Sequence, residues 1–145
     1  MAIVVLATLM VGVVDFGMAF SQKMAMANAV RAGTQLALVR HPSLGPDASE
    51  SEALSSLAAI RNAVLNSAQS LVASDPGTDQ LDVSAFCLCP DGTEVACTPD
   101  PGTVPVCVAE THVRVRLVLP YSMMLRMPGA PETFDIRTEN SVRLN

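Results

Sequence analysis

The residues with the most recognisable chemistry are four cysteines in the second half of the chain. They are Cys87, Cys89, Cys97 and Cys107. An even number of cysteines among Gly- and Pro-rich turns is typical of a disulfide framework formed in an oxidising compartment. Zinc binding is the alternative, but the spacing C-x-C-x7-C-x9-C lacks the paired C-x2-C knuckles of zinc ribbons. The pattern therefore favours disulfides over a metal site.

The histidines and the loop aspartates offer little that could support catalysis. His41 precedes a proline at a predicted helix end, and His112 lies in a predicted strand, with no suitably spaced nucleophile or orienting acid. Asp75, Asp79 and Asp82 lack the glycine placement of a calcium loop, and the glycines do not form a phosphate-binding loop. We therefore expect no enzyme activity, no metal site, no cofactor and no small-molecule substrate.

The charge of the chain argues against nucleic acid as a partner. The chain contains nine Lys and Arg residues and fourteen Asp and Glu residues, so its net charge is −5, and the cationic residues form no basic stripe along the sequence. The 145 residues amount to one domain. Without the apolar N-terminal segment the core is small, so disulfides would add useful stability.

The element that begins the chain is predicted to be one long helix. The first twenty residues, "MAIVVLATLMVGVVDFGMAF", would span about 30 Å as a helix, which is close to the apolar thickness of a bilayer. No proline occurs before Pro42, so the helix should continue through an Ala-rich second half and end there. The prediction is one hydrophobic helix over 1–40, whose apolar start is long enough to span a membrane, followed by a small extracytoplasmic domain over 41–145.

Asp15 places a carboxylate inside this apolar run, about 21 Å along the helix from Met1. Charged groups in such helices usually face water or a protein partner. One interpretation is a carboxylate wetted at the membrane boundary. The other is an ion pair between copies, with Lys23 or Arg31 of a neighbour, because Lys23 of the same helix is about 12 Å away in rise.

Small residues recur at every fourth position along the same helix, and such a ridge lets another helix approach closely. The ridge consists of Gly17, Ser21, Ala25, Ala29, Gly33 and Ala37. Glycine inside a helix costs about 1 kcal/mol relative to alanine, so these positions need a packing reason. The spacing predicts a helix-packing face.

The remainder of the chain predicts a helix followed by an antiparallel sheet, and hence an α+β fold. Ser49 and Glu52 have capping-box spacing at the start of a helix over about 49–73, with Asp47 as a competing cap. Apolar residues then alternate at a period of two. The predicted strands cover about 80–89, 93–97, 104–119 and 133–144.

The predicted hairpin also bears on the disulfide pairing. A turn at Asp91 and Gly92 brings Cys87 opposite residue 96 or Cys97. The pairing Cys87–Cys97 with Cys89–Cys107 is therefore favoured, and two other connectivities stay open.

The flanking charges raise a question of orientation. The cysteines require the second half to be outside, whereas Lys23, Arg31 and Arg40 follow the apolar run and would tend to face the cytoplasm. A basic leader in the precursor resolves the conflict, provided that it is cut in front of the apolar segment. Prepilin processing makes such a cut.

Two motifs resemble the N-terminal signature of the TadE/TadG-like pseudopilins, or minor pilins, of tight-adherence (Tad, type IVc) pili. They are "GVVDFG" at 12–17 and "NAVRAG" at 28–33. The cysteine hairpin and Leu119-Pro120-Tyr121, which is similar to a family turn, extend the resemblance downstream. A Glu-Phe pair and a proline that are usual in the family's apolar run do not appear in this sequence.

The resemblance implies a non-enzymatic structural subunit of a bacterial pilus. It implies a place in the inner membrane with an extracytoplasmic C-terminal domain, and later in an extracellular filament. The partners that it implies are other copies of the chain, related pilins, the inner-membrane assembly machinery and, before assembly, the lipid bilayer. The alternative is a single-pass, membrane-anchored periplasmic binding module.

Overall fold

Two helices pack on one face of a four-stranded antiparallel sheet in the computed structural model, which describes residues 2–44, 48–69, 71, 80–95, 97, 110–123 and 133–144. This is the α+β fold that the sequence predicts. In chain order, the elements are α1 (Ala2–Val39), a 3₁₀ turn (His41–Ser43), α2 (Glu50–Ser67), β1 (Leu81–Leu88), β2 (Glu94–Val95), β3 (Glu110–Ser122) and β4 (Thr133–Leu144).

The first helix, α1, is unbroken, as predicted, and its two halves have different surroundings. Met26, Ala29, Val30 and Ala37 from the second half are fully buried in the core. The first half carries a series of exposed apolar side chains. The helix ends at Val39, before the 3₁₀ turn that contains Pro42, because proline cannot donate the next helical hydrogen bond.

The prediction of a membrane span over the first twenty residues is not supported. Among the described residues, we find no helix with the length and apolar character that crossing a bilayer requires. From Asp15 onward, α1 instead packs on its own domain, through Asp15, Ala19 and the buried residues that follow.

The second helix, α2, begins with the predicted capping box. The Ser49 hydroxyl accepts a hydrogen bond from the backbone N–H of Glu52, and the Glu52 carboxylate accepts one from the backbone N–H of Ser49. The helix ends at Ser67 rather than near residue 73. The backbone N–H of Ala68 closes the last turn on the carbonyls of Val64 and Leu65.

The sheet has the strand order β2-β1-β3-β4, with every neighbouring pair antiparallel. On β3 the predicted alternation is confirmed. Val113, Val115, Leu117 and Leu119 are buried beneath the helices, whereas the alternate residues lie on the other face. Helix α1 lies over β3 and β4, and α2 lies over β1. Half of α1 therefore belongs to the same core as the predicted domain over 41–145.

Strand β3 continues through Pro120, where the sequence suggested a turn over Leu119-Pro120-Tyr121. The backbone N–H of Val118 donates to the Gln80 carbonyl at 2.7 Å, on the β1 side of the strand. The nitrogen of Pro120, two residues later, points the same way, past the last β1 pairing at Leu81. Among the described residues, its missing N–H therefore leaves no β1 carbonyl without a sheet hydrogen bond.

The strand predicted over 104–119 starts at Glu110 within the described residues. The earlier part of that prediction lies outside them, together with Asp47, Asp75, Asp79 and Cys107.

Candidate functional site

The most unusual surface of the molecule is the first part of α1, which we call the tip (residues 2–14). Its side chains Ile3, Leu6, Leu9, Met10 and Val13 are between 61% and 82% exposed. Residues 2–14 contain no Asp, Glu, Lys or Arg. A contiguous apolar surface of this kind marks a binding site for protein or lipid.

Asp15 lies where the tip meets the domain, and its side chain is only 8% exposed. The Tyr121 hydroxyl, from the end of β3, is 2.7 Å from Asp15 Oδ1 and 3.0 Å from the Asp15 carbonyl oxygen. This side-chain hydrogen bond to Asp15 raises the pKa of Tyr121, and burial and the negative charge of the carboxylate act in the same direction. The contact joins residues 106 positions apart in the chain and fixes the base of the tip to the sheet.

The three residues of the predicted ion pair between copies have different surroundings in the structure. Asp15 faces Tyr121 of its own chain, whereas Lys23 and Arg31 are exposed on α1. A pairing of Asp15 with a neighbour's cation stays a prediction. The intramolecular partner, Tyr121, lies 106 residues further along the chain, so no pattern in α1 could have indicated it.

The ridge of small residues is divided between the core and the surface. Ala29, Gly33 and Ala37 are buried, whereas Gly17 and Ser21 are exposed. A Cβ atom at Gly33 would lie 2.4 Å from Val64 Cγ2, so α2 uses this glycine for its own close approach. A Cβ at Gly17 would meet no atom within 4 Å.

This division follows from helix geometry. Positions four residues apart advance by 400° in a helix with 3.6 residues per turn, so the ridge drifts by about 40° at each step. Over five steps it moves by about 200°, from one side of α1 to the opposite side. Only Gly17, Ser21 and the half-buried Ala25 are left to contact another molecule.

The cysteine hairpin has the favoured pairing. Cys87 and Cys97 form a disulfide with a Cα–Cα distance of 5.0 Å, which excludes both as zinc ligands. Gly92 has a φ of +86° in the turn, a conformation that glycine adopts without strain. Cys89 is also disulfide-bonded, and Cys107, its predicted partner, lies outside the described residues.

The outer face of the sheet carries a polar cluster centred on Arg114. Its guanidinium lies 4.2 Å from the centroid of the Phe86 ring and pairs with Glu94 and Glu139. The hydrogen bond to Glu94 raises the pKa of Arg114. His112 stacks on Phe86 with ring centroids 5.4 Å apart. These contacts stabilise a solvated sheet face and bring no nucleophile next to a base.

The remaining candidate groups lie apart. His41 is in the 3₁₀ turn, and Asp82 is exposed on β1. In the part of the chain that the structure describes, no group of three or more His, Cys, Asp or Glu side chains could hold a metal ion.

A family model described as TadE-like protein matches residues 1–35. The matched segment contains the tip, Asp15 and the small-residue ridge as far as Gly33. The match confirms the resemblance to the TadE-like family over these residues. No curated protein and no solved structure is similar enough to match the chain.

Proposed function

We propose that this protein is a non-enzymatic structural subunit of a bacterial Tad-type pilus, a pilin or pseudopilin that assembles through the first half of α1. The observation that supports the proposal is the exposed apolar tip, which lies within the segment that matches the TadE-like family.

The energetics favour a role in assembly for the tip. Its five most exposed side chains present roughly 600 Å² of apolar surface, and burying that area would contribute on the order of 15 kcal/mol before the costs of association. Those costs are about 4–15 kcal/mol, so burial of the tip can sustain a contact between subunits. Other copies of the chain and related pilins are the partners that we propose.

The location that we propose follows from the cysteines. The Cys87–Cys97 disulfide is typical of an oxidising compartment, so the domain belongs on the extracytoplasmic side of the envelope. Before assembly, the apolar tip must be shielded from water by another partner. We propose that envelope lipid and the inner-membrane assembly machinery do this. After assembly, the domain lies on the outside of the filament.

The test is immunoelectron microscopy of pili sheared from cells that produce the protein, with an antibody against the domain. We expect label along or at the ends of the pili. Leu9→Glu, which places a charge in the tip, should lower the amount of the protein in the pilus fraction at least tenfold, because burying an unpaired charge costs free energy.

Leu54→Glu is the matched control. Leu54 on α2 is 60% exposed and Leu9 is 61% exposed, so the two substitutions introduce the same charge at equally exposed helical positions. We expect Leu54→Glu to leave the pilus content within twofold of the wild type. Pili that never carry the label, or that incorporate Leu9→Glu normally, would contradict the proposed function.

A further inference from the structure

A second apolar surface lies beside the tip, in a groove between α1 and the edge strand β4. The groove has a volume of about 500 Å³. Its apolar wall consists of Phe16, Phe20, Met24 and Ala27 from α1 and of Phe134 and Ile136 from β4. A smaller cavity of about 180 Å³ at the base of the tip shares Phe16 and Phe134 with it. Three of these aromatic and methionine side chains on α1 are more than half exposed, so the groove is open.

Charged groups lie on both walls of the groove. Lys23 follows the helix edge, and Asp135 and Arg137 follow β4. Asp135 and Arg137 pair with each other at 3.7 Å. A partner that enters the groove therefore needs an apolar surface, since Asp135 and Arg137 neutralise each other and Lys23 is exposed to water at the helix edge.

We propose that the groove binds the tip of a second copy of the chain, an inference that rests on the proposed function and names its acceptor surface. The donor and acceptor surfaces are different patches of one molecule. Such a contact is heterologous and can repeat from copy to copy, as a filament requires.

The pattern of the tip fits this mode of binding. Leu6, Leu9, Met10 and Val13 occupy positions i, i+3, i+4 and i+7, the anchor spacing of a helix that lies in an apolar groove, and the exposed Val11 and Val14 extend the apolar surface beside them. Residues 2–14 span about 18 Å along the helix axis. The acceptor positions from Phe16 to Ala27 span about 17 Å, so the two surfaces match in length.

The area also fits a stable contact. The exposed apolar side chains of the tip and of the groove together present on the order of 1,000 Å², whereas the largest apolar patch on a typical monomer covers about 300–600 Å². A specific protein interface buries about 1,200–2,000 Å² in total, backbone and rim included. The apolar side chains therefore supply somewhat less than the lower end of that range, and the backbone and rim of the contact must supply the rest.

The experiment is photo-crosslinking of the full chain in producing cells, with benzoylphenylalanine in place of Met10. We expect a dimer-sized adduct whose crosslinked peptides map to the groove, at Phe20–Ala27 or Phe134–Arg137. Met24→Glu should lower the yield of this adduct by at least tenfold, because the carboxylate would be buried against the apolar tip. Met24→Leu, which keeps an apolar side chain at this position, should give the wild-type yield of the adduct.

Met18→Glu is the matched control, because Met18 lies on the same helix, on the side of Gly17 and Ser21. It is 37% exposed, against 51% for Met24, and neither residue belongs to the core or packs against it. We expect Met18→Glu to leave the adduct within twofold of the wild type. Circular dichroism should show that both variants are folded.

Three results would overturn the inference: no adduct between copies, an adduct that maps to the side of Ser21, or a loss caused by Met18→Glu and not by Met24→Glu. Each is distinguishable from a failure of the proposed function. If the antibody labels pili while the adduct maps elsewhere, the function stands and the groove does not. If the groove adduct forms in cells whose pili never carry the label, the docking contact stands and the pilus role does not.

Discussion

Replacing Gly33 with alanine tests whether the small-residue ridge packs within the chain. Gly33 lies where α1 crosses α2, and an added Cβ would be 2.4 Å from Val64 Cγ2 and 3.5 Å from Ile60 Cγ2. Favourable carbon contacts are about 3.5–4.0 Å apart. Val64 is fully buried and β-branched, and such side chains keep one strongly preferred rotamer in a helix, so it cannot turn away easily.

The magnitude follows from two opposing terms. Alanine gains about 1 kcal/mol over glycine in a helix interior. Overpacking a dense core costs about 1–3 kcal/mol, and a contact this short belongs at the upper end. We expect Gly33→Ala to lower the free energy of unfolding by about 1–2 kcal/mol, which corresponds to a Tm lower by roughly 3–8 °C.

The assay is thermal and urea unfolding of the full chain in mild detergent, followed by circular dichroism. Gly17→Ala is the matched control, since a Cβ at Gly17 meets nothing within 4 Å. That variant should gain about 0.5–1 kcal/mol, the opposite sign. The double variant Gly33→Ala/Val64→Ala should lose less than the sum of its single losses. A Gly33→Ala protein as stable as Gly17→Ala would refute the assignment of Gly33 to the core.

Three further predictions concern the base of the tip, the cap of α2 and the hairpin. Asp15→Ala should destabilise the fold by about 1–3 kcal/mol, because the half-buried Tyr121 hydroxyl loses its charged acceptor and keeps only the backbone carbonyl of residue 15. In a double-mutant cycle with Tyr121→Phe the losses should be non-additive, and additive losses would mean that the two residues act separately. Hydrogen bonds from Ser49 lower the pKa of Glu52 in the folded state from its ordinary value of 4.5. The stabilisation of the fold by the ionised Glu52 is therefore present above pH 4.5 and is lost as the pH falls through the folded-state pKa. Glu52→Gln should make the unfolding free energy fall less steeply in acid, and an unchanged pH profile would contradict the capping role. Replacing Cys87 and Cys97 with serine, which opens a short loop and leaves the disulfide of Cys89 in place, should cost about 2–3 kcal/mol by urea unfolding while the helical circular dichroism signal persists. Collapse of that signal would show that the hairpin holds the whole fold together.

The elements with strong local signals could be predicted from the sequence. The absence of proline before Pro42 indicated an unbroken α1, and capping-box spacing located the start of α2. The turn at Asp91 and Gly92 set the hairpin register closely enough to favour the Cys87–Cys97 pair. In each case the interaction that decides the structure lies within a few residues of the motif.

The features that depend on tertiary contacts could not be predicted from the sequence. The ridge from Gly17 to Ala37 reads as one face in the sequence, but helix geometry turns its second half into the core. The partner of Asp15 is 106 residues away, so its burial against Tyr121 had no local signature. The apolar content of the first twenty residues likewise gave no information about the contacts that α1 makes with its own sheet from Asp15 onward.

Electron cryomicroscopy of pili from cells that produce the protein tests the central claim most directly. The account predicts that density for this chain occurs in the filament, with Leu6, Leu9, Met10 and Val13 covered by neighbouring subunits. Filaments that lack the chain, or that contain it with residues 6–13 facing solvent, would contradict it.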